Sequence, residues 1–90
     1  MDYKKCAADI LHYIGGEKNI VNLEHCSTRL RFTVANQENV NQEGLKKVQG
    51  VMKLIVNSQV QVVIGNSVIE VYDEIMKLIT IDAVSYTHLT

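Results

Sequence analysis

The run Arg29-Leu30-Arg31-Phe32-Thr33-Val34 alternates polar and apolar residues without a break, and it constrains the fold more than any other stretch of the chain. Side chains along a strand point to opposite faces in turn, so Leu30, Phe32 and Val34 share one face while Arg29, Arg31 and Thr33 share the other. Such a strand has one side on a core and one side in water, the pattern of an antiparallel sheet. Ile20 to His25 reads as the strand before it, with Cys26-Ser27-Thr28 as a short connection. Val51 to Asn57 and Val60 to Ile64 are further runs of branched residues, joined by the turn Asn57-Ser58-Gln59.

Three amphipathic segments surround these hairpins. Ala7, Ile10, Leu11 and Ile14 recur at helical spacing from Tyr3 to Ile14, and Gly15-Gly16 supplies a stop. Asn39 followed by Gln42 resembles a capping box that opens a short helix through Lys47, with Val40, Leu45 and Val48 as its apolar side. Ser67 with Glu70 repeats the signature ahead of a last helix carrying Val68, Val71, Tyr72, Ile75, Leu78 and Ile79 on one face. The order αββαββα predicts an α+β fold: a four-stranded, mainly antiparallel sheet with three helices packed on one face and the other face open. Residues 1–79 are expected to form this domain. Residues 80–90 show no sustained period and read as a disordered tail or a cloning remnant, so His88 carries no functional inference.

Ninety residues give room for one core and not for two. The formal net charge of -1 offers no general attraction to nucleic acid or anionic lipid. Apolar runs are only a few residues long, far short of the roughly 20 that span a bilayer, so no direct membrane insertion is expected. The opening residues lack the long apolar stretch of a secretion signal, and the two thiols, Cys6 and Cys26, are expected to be reduced in a cytoplasmic setting.

The two cysteines have different surroundings. Cys6 lies on the first helix with nothing nearby to activate it. Cys26 sits at a tight turn just before Arg29 and Arg31, whose charges favour a thiolate and whose planar guanidinium groups bind phosphate oxygens in pairs. The backbone amides of Ser27, Thr28 and Arg29 can form an anion-binding nest, to which the Ser27 or Thr28 hydroxyl adds a donor. The plainer alternative is a structural thiol beside two solvated arginines. A cysteine-phosphatase loop places an arginine six positions after its nucleophile, where this chain has Phe32. A metal site is not expected, because Cys6, His12, His25 and Cys26 lack the paired spacings of zinc ligands. His25 stands next to the thiol, although neighbouring strand residues face opposite ways. Gln61 lies on the side of its strand away from Val60, Val62 and Ile64, and it is either a docking residue on the exposed surface or an ordinary solvated one.

From Asn19 to about Met76, with His25-Cys26-Ser27-Thr28-Arg29-Leu30-Arg31-Phe32 at its centre, the chain resembles the enzyme IIB domain of the bacterial sugar phosphotransferase system. Within the glucose superfamily it is most similar to the β-glucoside, sucrose and trehalose branch. Supporting segments are Gly44-Leu45-Lys46-Lys47, Gly50-Val51 and Val60-Gln61-Val62-Val63-Ile64-Gly65. The resemblance implies a protein-cysteine phosphotransferase that needs no cofactor. It implies Cys26 as phosphocysteine nucleophile with Thr28, Arg29 and Arg31 as its support; the turn adds Ser27 to the phosphate-binding set, and His25 and Gln61 are candidate docking residues. It also implies a phosphohistidine-bearing IIA domain or protein as donor, a membrane IIC domain that binds the sugar acceptor, and a parent protein in the bacterial cell membrane. An alternative is a detached module whose phosphorylation state signals to a transcriptional regulator without delivery to sugar.

Overall fold

The computed structural model describes residues 2–87, with side chains as far as Ile79. Three α-helices and four strands run in the order α1 (Tyr3–Tyr13), β1 (Ile20–His25), β2 (Arg29–Val34), α2 (Gln42–Lys47), β3 (Lys53–Val56), β4 (Val60–Val63) and α3 (Val68–Thr87), with single 3-10 turns at Glu17–Asn19 and Gln37–Asn39. The α+β architecture is the one expected from the alternation and helical periods. Helix α3 continues through Thr87, past the expected domain end at Ile79, and residues 88–90 of the expected tail lie outside the described residues.

All strand pairs are antiparallel and the spatial order is β1-β2-β4-β3. The two hairpins therefore meet along β2 and β4, putting Leu30 opposite Val62 and Phe32 opposite Val60. These four side chains are fully buried and form the floor of a core closed by Ala7, Ile10 and Ile14 of and after α1, Leu45 of α2, and Val68, Val71 and Ile75 of α3. Burial of each of these large side chains contributes about 1.5–3 kcal/mol. With the helices on this face, the sheet's other face carries Asn22 and Glu24 of β1, Arg29, Arg31 and Thr33 of β2, Gln61 and Val63 of β4, and Lys53 and Ile55 of β3.

Helix α2 begins later than the capping-box pattern suggested. Asn41 is its N-cap, accepting from the Gly44 amide at 2.9 Å, while Asn36 caps the preceding 3-10 turn through the Glu38 amide. Three asparagines occur in Ala35 to Asn41, and any of them suits a cap, so local sequence alone does not select the register.

The ends of the first hairpin are clipped together by Asn19, the one buried polar residue among those described. Its Nδ2 donates to the Ile14 and Asn36 carbonyls at 2.7 and 3.0 Å, and its Oδ1 accepts from the Asn36 amide at 2.9 Å. The Ala35 amide adds a bond to the Asn19 carbonyl. Gly15 is required beside it, since a Cβ there would meet Asn19 Nδ2 at 2.7 Å and the backbone holds φ at +106°.

Candidate functional site

The β1–β2 connection is the three-residue loop Cys26-Ser27-Thr28. The Cys26 amide donates to the Arg29 carbonyl at 3.0 Å, closing the turn and bringing Sγ back over the start of β2. On the other side the Thr28 carbonyl accepts from two amides, Ile64 and Gly65, both at 2.8 Å. Gly65 takes this position with φ +99°, turning the chain from β4 towards α3. The loop is thereby tied to the end of β4 as well as to its own hairpin, and its geometry is fixed before any ligand arrives.

Cys26 is half-buried, and its thiol is held below the ordinary thiol pKa. The largest cause is the backbone hydrogen bond from Thr28. Partial burial opposes it, and the Arg29 backbone and then the Arg29 and Arg31 charges add to the lowering. Cys6 goes the other way: burial in the core, with the nearby Asp9 carboxylate, pushes its thiol up to about 11. Only Cys26 combines access with a stabilised thiolate.

An open, polar cleft is lined by Cys26, Ser27, Thr28, Arg29, Arg31 and Gln61. Arg29 and Arg31 point the same way because they are two residues apart on β2. Gln61 stands opposite Arg31 on β4, and its Oε1 accepts a hydrogen bond from Arg29 Nη1 at 2.7 Å. The guanidinium of Arg29 is therefore aimed by a neutral side chain that leaves its full charge available. Arg31 has a buried Nε with no hydrogen-bond partner. An unpartnered buried guanidinium N–H is costly, and an anion in the cleft would relieve that cost. The arrangement suits a tetrahedral oxyanion on sulfur, with backbone amides and two guanidinium groups around it.

Residues 8–41, which include the thiol loop, match the family model described as phosphotransferase system, EIIB. A solved structure titled as one domain of the PTS system, IIabc component from Clostridium difficile, is 36% identical, with a TM-score of 0.77 over 83% of this chain and 80% of that one. The chain belongs to the EIIB family of the phosphotransferase system. Similar curated proteins are the β-glucoside-specific EIIBCA components of Halalkalibacterium halodurans, 37% identical over 87% of this chain, and of Bacillus subtilis, 41% identical over 86%. The sucrose-specific EIIBC component of Vibrio alginolyticus is 35% identical over 87%. The chain spans only 12%, 13% and 17% of the lengths of these relatives, so it corresponds to one module of each. Among the described residues no helix is long and apolar enough to cross a membrane.

The EIIB fold brings Cys26, Ser27, Thr28, Arg29, Arg31 and Gln61 to one cleft. His25 is set apart. It lies opposite Leu30 and so on the helix side of β1, with its ring 4.4 Å from that of Tyr72 on α3 and its Nδ1 3.3 Å from the Cys26 carbonyl oxygen. Two features were beyond a sequence reading. The Gln61 bond to Arg29 depends on β2 pairing with β4, a long-range match that alternation alone does not register. The amides of Ile64 and Gly65 act through backbone, which leaves no residue-type signal except the glycine.

Proposed function

We propose that Cys26 is the phosphoryl carrier of a sugar phosphotransferase system. In the first half-reaction the Cys26 thiolate attacks phosphorus on a phosphohistidine of a IIA partner. The S–P bond forms, the N–P bond breaks, and the donor imidazole leaves with the bonding pair. In the second, a hydroxyl of a sugar bound by a membrane IIC domain attacks the same phosphorus. The O–P bond forms, the S–P bond breaks, the thiolate returns, and the hydroxyl proton passes to a base near the acceptor. Both steps place charge on three equatorial oxygens, and stabilising that charge is the main task for the protein.

The observation that carries this reading is the convergence on a lowered-pKa thiol of two guanidinium groups and the loop amides. In the assignment of roles, the Thr28 and Arg29 amides stabilise the thiolate, Arg29 binds the phosphoryl group, and Arg31 supports the same group while reaching on towards the arriving acceptor. Ser27 and the Thr28 hydroxyl line the cleft as further donors. His25, exposed on the helix side of β1 beside Tyr72, is assigned to partner docking. The relatives named for β-glucosides and sucrose support a sugar as final acceptor, with this domain on the cytoplasmic side of a membrane-anchored parent.

The test is intact-mass measurement after mixing the domain with a phosphorylated IIA domain. Wild type and Cys6→Ser should each gain one phosphoryl group, and Cys26→Ser should gain none. Undiminished loading of Cys26→Ser would remove the thiol from the reaction. Adding a sugar-loaded IIC domain should discharge the phosphocysteine, and retention of the group there would favour a signalling module.

A further inference from the structure

We propose that Glu24 is a positioning residue that competes with the phosphoryl group for Arg31 and so keeps phosphocysteine easy to discharge. This rests on Cys26 being the carrier.

Glu24 on β1 is the direct cross-strand partner of Arg31, and the two share the open face of the sheet. Their Cβ atoms are therefore about 4.5–5.5 Å apart, close enough for carboxylate and guanidinium to meet by rotamer change alone. Gln61 flanks Arg31 on the other side, in the same row across the sheet. The two arginines thus have different neighbours. Arg29 is already fixed to the neutral amide of Gln61 at 2.7 Å. Arg31 keeps an unpartnered Nε, while the carboxylate beside it accepts from the Asn22 amide through an exposed bond of 3.3 Å, and among the described residues the two form no ion pair.

Glu24 lies just outside the cleft, whose lining residues carry no carboxylate. From that position it acts in one direction on both half-reactions. It attracts Arg31 away from the phosphoryl oxygens, and its charge opposes that of a phosphoryl dianion. Loading Cys26 then costs more, and releasing the group costs correspondingly less. A carrier between a donor and an acceptor works best when it holds its cargo loosely, and an acidic neighbour on one of two phosphate-binding arginines achieves this.

The experiment measures the equilibrium ratio of phosphocysteine to phosphohistidine when the domain is mixed with a phosphorylated IIA domain, for wild type, Glu24→Gln and Glu24→Asp. Glu24→Gln should raise the ratio about threefold to tenfold at low salt, with the gain shrinking towards unity at about 1 M salt as screening takes over. Glu24→Asp should stay near wild type. The sign separates this role from a structural one, because damage to the hairpin would lower loading, whereas removal of a competing charge raises it. A denaturant midpoint for each variant keeps a folding defect visible. A ratio unchanged or reduced in a folded Glu24→Gln domain would overturn the inference while leaving Cys26 as carrier. Failure of wild type to load would instead remove the reading of Cys26, and this inference with it.

Discussion

The two faces of strand β2 are built from alternate residues of one six-residue run, yet they obey different physics. On the helix side Leu30 and Phe32 are fully buried among Val60, Val62 and Ile75, where stability depends on volume and contact. On the open side Arg29 and Arg31 are half-buried beside Gln61 and the thiol loop, where charge and direction matter more than fit. Separating the two by a single-residue alternation lets the site be rigid without being part of the core. It also means that a one-residue slip in register would exchange the two functions completely.

The sharpest way to break this comparison is Phe32→Ala, which should destabilise the domain by about 3–5 kcal/mol in a denaturant titration, as for a buried aromatic. A shift near zero would show that the register is wrong. Next in size is Arg31→Lys, which keeps the charge but loses the paired donors. It should leave loading of Cys26 largely intact and slow delivery to sugar by about 10²-fold, or about 2.7 kcal/mol in the barrier. Single-turnover assays of the two half-reactions would measure this, and equal losses in both would deny Arg31 a separate role towards the acceptor. The smallest expected change is in the stability of Arg29→Ala, whose unfolding midpoint should correspond to a difference within about 0.5 kcal/mol of wild type. A loss comparable to that of Phe32→Ala would mean that the open face supports the fold after all.

Much of this was legible in the chain itself, because alternation in Arg29 to Val34 and the helical period of α3 are local signals with direct geometric meaning. The face assignment of both arginines follows from the period of two, and the contrast between Cys6 and Cys26 follows from their neighbours. What lay beyond reach was set by pairing at a distance. Gln61 read equally well as a solvated residue, and only the β2–β4 register turns it into the acceptor that aims Arg29. The start of α2 was ambiguous for a different reason: Asn36, Asn39 and Asn41 compete as caps, and Asn41 holds the helix while Asn36 holds the turn before it.

The clip at Asn19 bears on the order in which the chain can assemble. Its bonds to Asn36 close a segment of 17 positions, whereas the bond that aims Arg29 through Gln61 joins residues 32 positions apart. Loop-closure entropy rises with the logarithm of loop length, and the difference between these two spans is about 0.6 kcal/mol. Closing the first hairpin through this clip uses only residues up to Asn36, while orienting Arg29 waits for β4 to dock. During synthesis from the N-terminus, the hairpin that carries the thiol is thus closed by contacts available early, while the bonds from Ile64 and Gly65 to the Thr28 carbonyl and the aim of the guanidinium wait for the second hairpin.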